Sequence, residues 1–490
     1  MKKIALMLLF LSHFCLQAQV QQSKNEPEKP FDQLVYDWSR TFAEMLETTQ
    51  KKHYQIKNAQ NSFVQAFNSF LNTLDPHSNF LGPEATKSIF EKTTGSFFGI
   101  GIVIDNTRNA NDKYLTIVDT IPEGPADKAG VKPLDKIIEV EGEALQGMST
   151  EEATSKLKGE RNTKVHIKVM REDTQDPIPF DITRDEIKEQ SSLSFYLPEH
   201  NVYYLSLTMF SRNSAKQIED LLKKSADKKA RALILDLRNN SGGLLDSAID
   251  IVGLFTQKGS LVVTTKNNKT QETGRYNTTR EPIADLQVPI FILINNYTAS
   301  AAEILAGCLK LHSQQLAQKQ NDQKQLMVFL VGSKTFGKGS VQEVIPVSNN
   351  SAIKITTSLY FLPGDLTIQG VGIQPDFEVE RQFPPSKQVE WFEKHYGREQ
   401  TLNNYIKVNN NIKKDKKKTE KENNHKSWSE RAKERLQQDN QLREAISLVN
   451  LYHLSRNHCP TEVCNRTKAV DFMNKQHVTN KELTMNEVKV

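Results

Sequence analysis

The sequence predicts an α/β protein, and three patterns carry that prediction. Between residues 200 and 380, short apolar runs alternate with stretches of helical period, as in a sheet layered with helices. Residues 86–185 hold brief β-patterned runs punctuated by glycine and proline, a small module of its own. The two ends, 19–85 and 385–490, are polar overall and helical in period. A chain of 490 residues has room for roughly three domains. The expected division is a leader at 1–18, a helical segment at 19–85, the β-rich module at 86–185, the α/β core at 186–384 and a helical region at 385–490.

The leader has the three parts of a secretory signal. Lys2 and Lys3 precede the apolar run Ile4–Leu11, and Leu16-Gln-Ala18 offers a cleavage site. The apolar stretch is too short to span a membrane. Cys15 invites a lipoprotein reading, but bulky Phe14 stands where a small residue is expected, which favours cleavage near Ala18. The mature protein is expected to be exported, periplasmic and soluble. In an oxidising compartment Cys459 and Cys464 are close enough in sequence to form a disulfide, with a reduced or metal-linked pair as the alternative. Cys308 reads as a packing residue. The eleven histidines contain no H-E-x-x-H and no metal-ligand spacing, so neither a metal site nor a cofactor is expected. A net charge of +5 is small for this length and does not suggest nucleic acid.

From 30 to 85 the apolar positions Phe31, Leu34, Val35, Trp38, Phe42 and Met45 follow a helical period. The segment closes on Leu74-Asp-Pro-His-Ser-Asn-Phe80, a turn signal in which His77 reads as a turn residue rather than a catalyst. In the β-rich module, strands are expected at Gly99–Ile104, Tyr114–Val118, Lys136–Val140 and Val165–Met170. Ser149-Thr-Glu-Glu152 is a capping box opening a helix that runs to Leu157. In the core, strands are expected at Val202–Leu207, Ala232–Leu237, Val288–Ile294 and Leu326–Val331, with an amphipathic helix at Ser214–Lys224. The polar run Gln314–Gln325 is expected to be an exposed loop. Asn409–Lys426 is too charged to bury anything, and Glu430–Leu451 returns to helical spacing.

Ser300 and Lys338 are the candidate reacting groups. Asn295-Asn-Tyr-Thr-Ala-Ser300 turns an apolar strand into the helical stretch Ala301–Gly307, placing a serine hydroxyl at the rim of a sheet. Backbone N–H groups at that helix start lack intrahelical acceptors, and the helix dipole favours a developing oxyanion there. Lys338 follows the next apolar run, inside Gly332-Ser-Lys-Thr-Phe-Gly-Lys-Gly339. Loss of solvation among glycines and apolar strands favours the neutral amine, a base for a serine nucleophile. The same turn fits G-x-x-x-x-G-K, but Gly339 replaces the magnesium-binding Ser or Thr, and the alternating run Ser340–Val347 follows instead of a helix. No nucleotide site is expected. Gly242-Gly243, after Arg238-Asn-Asn-Ser, is either a plain turn or a supplier of oxyanion-hole donors.

Pro122-Glu-Gly-Pro-Ala-Asp-Lys-Ala-Gly130 followed by Leu134-Asp-Lys-Ile-Ile-Glu-Val140 resembles a PDZ domain. With Leu74-Asp-Pro-His-Ser78, Leu235-Asp-Leu-Arg-Asn-Asn-Ser-Gly-Gly243, Thr298-Ala-Ser-Ala-Ala-Glu-Ile304, Thr335-Phe-Gly-Lys-Gly-Ser-Val-Gln342 and Gly370-Val-Gly-Ile-Gln-Pro-Asp376, the chain resembles the carboxyl-terminal processing proteases, also called tail-specific proteases. The resemblance implies a crotonase-like layered protease core with an inserted PDZ-like domain. It implies Ser300 as nucleophile, Lys338 as general base and Gln342 as the residue orienting the lysine. It also implies an oxyanion hole from the N–H groups of Gly243 and Ala301. The loop Phe98, Gly99, Ile100, Gly101 would bind a peptide carboxylate, with Ile100, Ile102 and Val103 framing an apolar pocket. The chain departs from the family at Ala302, where a further serine is common, and in the long insert between Ser300 and Lys338. The expected activity is a serine endopeptidase acting on free, apolar C-termini of proteins. A catalytically silent PDZ scaffold or chaperone, and an acyl-transfer enzyme on a crotonase-like core, are the alternatives. An adaptor and homo-oligomerisation remain open.

Overall fold

The computed structural model describes residues 30–54, 59–94, 96–104, 114–121, 124–132, 134–146, 148, 150–171, 174, 176–188, 191–283, 288–318, 326–380, 439–458 and 466–487. The leader, Ser149, the run Asn409–Lys426 and the pair Cys459 and Cys464 lie outside these residues. The chain divides into two compact units, 1–66 and 67–490.

The first unit holds helix α1 (Phe31–Lys52), with Asp32 in its first turn and Lys51 and Lys52 in its last, charges that suit the helix dipole. Its apolar stripe exists but stays open to solvent: Leu34, Val35, Trp38 and Met45 are all exposed. Helix α2 (Ala59–Leu71) crosses into the second unit. There the chain turns, forms strand β1 (Asn79–Leu81) and continues as helix α3 (Pro83–Thr94).

The β-rich module follows: β2 (Ser96–Gly99), β3 (Ile102–Ile104), β4 (Leu115–Thr120), α4 (Pro125–Ala129), β5 (Lys136–Val140), β6 (Glu143–Ala144), α5 (Thr150–Leu157), β7 (Lys164–Met170), β8 (Ile178–Thr183) and β9 (Asp185–Lys188). An antiparallel sheet runs β3-β4-β5-β7-β8, with β6 on β5, while β2 pairs β9. Alternate residues of β7, namely Val165, Ile167 and Val169, meet Ile117, Ile137 and Val140 in a closed core capped by Ala126, Ala153 and Leu157. The strand expected at Gly99–Ile104 is broken in two. Gly101 has φ +74°, a left-handed conformation that a strand does not accommodate.

The remaining elements build the core. They are β10 (Ser192–Leu197), β11 (Val202–Leu207), α6 (Ser214–Asp227), β12 (Ala232–Asp236), α7 (Leu245–Val252), β13 (Leu261–Lys266), β14 (Glu272–Asn277), β15 (Ile290–Ile294), α8 (Ala301–Gln318), β16 (Val328–Gly332), β17 (Ser340–Val347), β18 (Ser351–Leu362), β19 (Leu366–Thr367), β20 (Phe377–Glu378), α9 (Asn440–His458) and α10 (Arg466–Glu487). The central sheet runs β10-β11-β12-β15-β16-β20, parallel from β11 onward. Its middle strands β12, β15 and β16 are buried at every residue, which is why they read as unbroken apolar runs. Alternate side chains face two helical layers. Leu233 and Leu235 join Ile218 of α6, Ile251 of α7 and Ile304 of α8, while Ile234, Phe291 and Phe329 meet Leu442, Leu448 and Tyr452 of α9 and Met473 of α10. The polar C-terminal sequence therefore conceals a buried face.

Two arginines pin that second layer. Arg238 spans Asp236 and Asp439, and Arg466 bonds Asp376 at 2.6 Å. A second sheet, β1-β18-β13-β14, carries β17 and β19 on the long strand β18. In it β1, which precedes the β-rich module in sequence, pairs with β18 through Asn79 opposite Lys354. The expected loop at Gln314–Gln325 is in part helix, because α8 continues to Gln318 and the rest falls outside the described residues. A polar run on an exposed helical face has the composition of a loop, so composition alone does not separate them.

Candidate active site

Three loops leave the C-terminal ends of β12, β15 and β16, the edge of a parallel sheet where ligands are bound. They are laced to one another. Thr298 Oγ1 donates to Leu237 O at 2.9 Å, Ala299 N–H to Asn240 O at 2.9 Å, and Phe336 N–H to Thr298 O at 3.1 Å. In the first loop, Gly243 has φ +145° and passes so close to Phe210 that a Cβ would lie 2.1 Å from its carbonyl oxygen. The bridge to Phe210 uses Gly242 O as acceptor and Leu244 N–H as donor. By the alternation of a parallel bridge, this directs the N–H of Gly243 away from Phe210. The same loop lies against the serine: a Cβ on Gly242 would meet Ser300 Cβ at 2.8 Å.

Ser300 itself has φ +56°, uncommon for a residue with a Cβ, at the corner between β15 and α8. Ala301 is the first residue of α8, so its N–H is among those with no intrahelical acceptor. Lys338 sits in the third loop, between β16 and β17. Strand follows that turn, as expected, so the phosphate-loop context is absent here.

A residue without an expected role holds this corner together. Glu303 is fully buried, and its two oxygens take four hydrogen bonds. Oε2 accepts from the N–H of Ser300 and of Lys338, each at 2.9 Å. Oε1 accepts from Gly337 N–H at 2.8 Å and Thr335 Oγ1 at 2.5 Å. A single oxygen thus bridges the backbones of the two candidate reacting residues, whose nitrogens lie within about twice a hydrogen-bond length of each other. Burial pushes the Glu303 carboxyl up to about 7, against the four donors that favour its charge. Its signal was present in the sequence as Ser300-Ala-Ala-Glu303, an S-x-x-E capping pattern in which the glutamate reaches back to the N–H of the first residue.

Gln342, on β17, donates from Nε2 to Ser340 Oγ at 2.8 Å and to Thr356 Oγ1 at 3.2 Å. The candidate peptide site is elsewhere in the chain. Strand β3 is at the end of its sheet and pairs only with β4 among the described residues, so its other edge faces no strand there. Phe98 and Gly99 belong to β2, paired with β9, and Phe98 is exposed. A Cβ at Gly101 would approach Ile187 Cδ1 to 3.1 Å, and its φ of +74° is strained for any residue that has one. Val103 is exposed, Ile102 half-buried, and Ile100 buried in the module's own core. Among the described residues no group of His, Cys, Asp and Glu is placed to hold a metal ion. Nor, among them, is any helix long and apolar enough to cross a membrane.

The chain is similar to known proteins over both its β-rich module and its core. The profile of Peptidase family S41 matches residues 201–379, and that of the PDZ domain matches residues 87–170. A carboxy-terminal-processing protease of Bartonella bacilliformis is 33% identical over 357 residues, 72% of this chain and 77% of that one. A carboxyl-terminal-processing protease of Synechocystis is 34% identical over 330 residues, 66% of this chain and 73% of that one. Among solved structures, the photosystem II D1 C-terminal processing protease is 24% identical, aligning 69% of this chain and 86% of that one with a TM-score of 0.38. A PDZ module beside a peptidase core is thus the class that fold and sequence define. The chain belongs to the carboxy-terminal processing proteases of Peptidase family S41 and is a serine-type peptidase.

Proposed function

We propose that this protein is an exported endopeptidase of the Ser–Lys type, which captures protein C-termini in its PDZ domain and cleaves the adjoining chain. The observation that carries the proposal is the Glu303 carboxylate, which receives the backbone N–H groups of Ser300 and Lys338 on one oxygen. Holding both turns from beneath keeps nucleophile and base in one geometry through the reaction, which is where positioning contributes to rate. Neutral Lys338 takes the Ser300 proton as Oγ attacks the scissile carbonyl. The oxyanion settles on the N–H groups of Gly243 and Ala301. The lysine returns the proton to the leaving amine, and water hydrolyses the acyl-enzyme by the same route. One oxyanion donor in comparable sites is worth roughly 2.7–4 kcal/mol, so this pair would supply a large share of the acceleration. Gln342 orients the lysine.

The tail would add as a strand along the open edge of β3, its carboxylate on backbone N–H groups of the loop Phe98–Gly101 and its apolar end near Ile102 and Val103. The core is of the crotonase-like layered kind, and the leader directs export.

Mature protein and its Ser300→Ala and Lys338→Ala variants, each incubated with a protein bearing an apolar C-terminal tail, provide the test. Mass spectrometry should show cleavage by wild type alone. Tail binding by all three proteins with cleavage by none would replace the peptidase reading with that of a silent scaffold.

A further inference from the structure

The turn upstream of the PDZ domain reaches strand β18, the partner of the strand that carries Gln342. Asp75, buried, accepts from His77 N–H at 2.8 Å and Ser78 N–H at 2.9 Å on Oδ1, and from Ser78 Oγ at 2.5 Å on Oδ2. Its Oδ1 takes one long-range bond as well, from Thr356 Oγ1 on β18 at 3.0 Å. Thr356 N–H in turn donates to Ser78 Oγ at 3.1 Å. The Thr356 hydroxyl is also the acceptor for Gln342 Nε2. A continuous path therefore runs from Asp75 through one hydroxyl to the amide assigned to orient the base.

The direction of each bond in that path is dictated by chemistry. An ionised carboxylate only accepts, so Thr356 must spend its single proton on Asp75. The hydroxyl then has only lone pairs to offer Gln342, and the side of the amide facing it must be the NH2 group. The Gln342 oxygen is turned the other way. Burial pulls the Asp75 carboxyl upward, but the bonds from Ser78, His77 and Thr356 outweigh it and hold the group below the usual carboxylate range, so it is ionised at neutral pH. Without that acceptor the Thr356 proton could turn to Gln342, and either orientation of the amide would be allowed, one of which presents NH2 to the lysine.

We propose that Asp75 and Thr356 are positioning residues for Lys338: together they set which end of the Gln342 amide faces the base. The inference rests on the Ser–Lys reading given above. It gives the Asp-Pro-His-Ser turn, separated from the core by the whole PDZ domain in sequence, a part in the chemistry. That turn reaches β18 because β1, directly after it, pairs with β18.

A double-mutant cycle separates this role from simple support of the fold. Thr356→Val removes the hydroxyl at nearly constant shape and leaves Asp75 its three local donors. It should lower kcat about tenfold with KM unchanged, the rate equivalent of about one neutral hydrogen bond. Thr356→Ser, which returns the hydroxyl, should recover the lost rate. In a Gln342→Ala background, Thr356→Val should cost nothing further, because there is no amide left to orient. Asp75→Ala, which takes away the acceptor and frees the Thr356 proton to turn to Gln342, should behave in the same two ways and serves if Thr356→Val folds poorly. A loss that adds in full to that of Gln342→Ala, or no loss at all, overturns the proposal. Ser300→Ala and Lys338→Ala run alongside: activity in either would remove the Ser–Lys reading itself, whereas two dead variants with an additive cycle would remove only the role of Asp75 and Thr356.

Discussion

Glu303 and Asp75 anchor two turns by the same device and respond to burial in opposite ways. Each is a buried carboxylate that accepts four hydrogen bonds from a turn and from a neighbouring strand or loop. Glu303 is sealed beneath the catalytic loops, and desolvation dominates, raising it to about 7. Asp75 sits nearer the surface, desolvation is outweighed by its donors, and the carboxyl is lowered. The number of donors alone does not decide which way a buried acid moves; the depth from which water is excluded does. The linkage to stability has opposite signs. The contribution of Glu303 is fully present below its unfolded value and is lost as pH rises through about 7, while that of Asp75 is present above its unfolded value and is lost as pH falls through its folded one.

The sharpest way to break this comparison is Glu303→Ala. Four buried donors would lose their acceptor, at about 1–3 kcal/mol each, so a loss of at least about 4 kcal/mol in denaturant unfolding is expected, with peptidase activity abolished. A stable, active Glu303→Ala protein would show that the two turns hold without it. A second test uses pH. As pH falls through about 7, protonation of Glu303 withdraws an acceptor from the turns, and in the proposed mechanism protonation of the Lys338 amine stops it acting as a base. The logarithm of kcat/KM should then fall with a slope approaching about two, and Glu303→Gln should return the slope to about one at a lower overall rate. An unchanged slope would mean that the Glu303 carboxyl does not titrate in the working range. The smallest effect belongs to Asp75→Ala: its donors lie nearer to water, which can replace the lost acceptor, so the cost in unfolding should be well below that of Glu303→Ala, about 1–2 kcal/mol. A cost as large as that of Glu303→Ala would erase the difference between the two acids.

Much of this organisation can be read from residues alone, for definite reasons. Ile290–Ile294 and Val328–Val331 are unbroken apolar runs because both faces of a parallel strand are covered, and each is followed at once by its turn and its candidate reacting residue. Glu303 was legible too, three residues beyond Ser300 in a capping pattern. Its long-range bonds to Thr335, Gly337 and Lys338 were not. Helical period was a weaker guide to burial. The clear stripe of α1 stays exposed, while α9 and α10, with little amphipathic contrast, carry Leu448, Tyr452 and Met473 into the core. Periodicity reports that a face exists; whether it is covered depends on which other element arrives.

The sequence by itself determined the apolar strands of the central sheet and the order of the turns that carry Ser300 and Lys338, the candidate reacting residues. All of these follow from local pattern, because strand burial, helix starts and glycine turns are written within a few neighbouring positions. Only the tertiary structure decided that Gly101 breaks its strand, that the C-terminal helices close the second face of the sheet, and that Asp75 meets Thr356 and Gln342. Those outcomes depend on contacts between residues far apart in the chain, where burial and hydrogen-bond direction are set by partners that no local window contains.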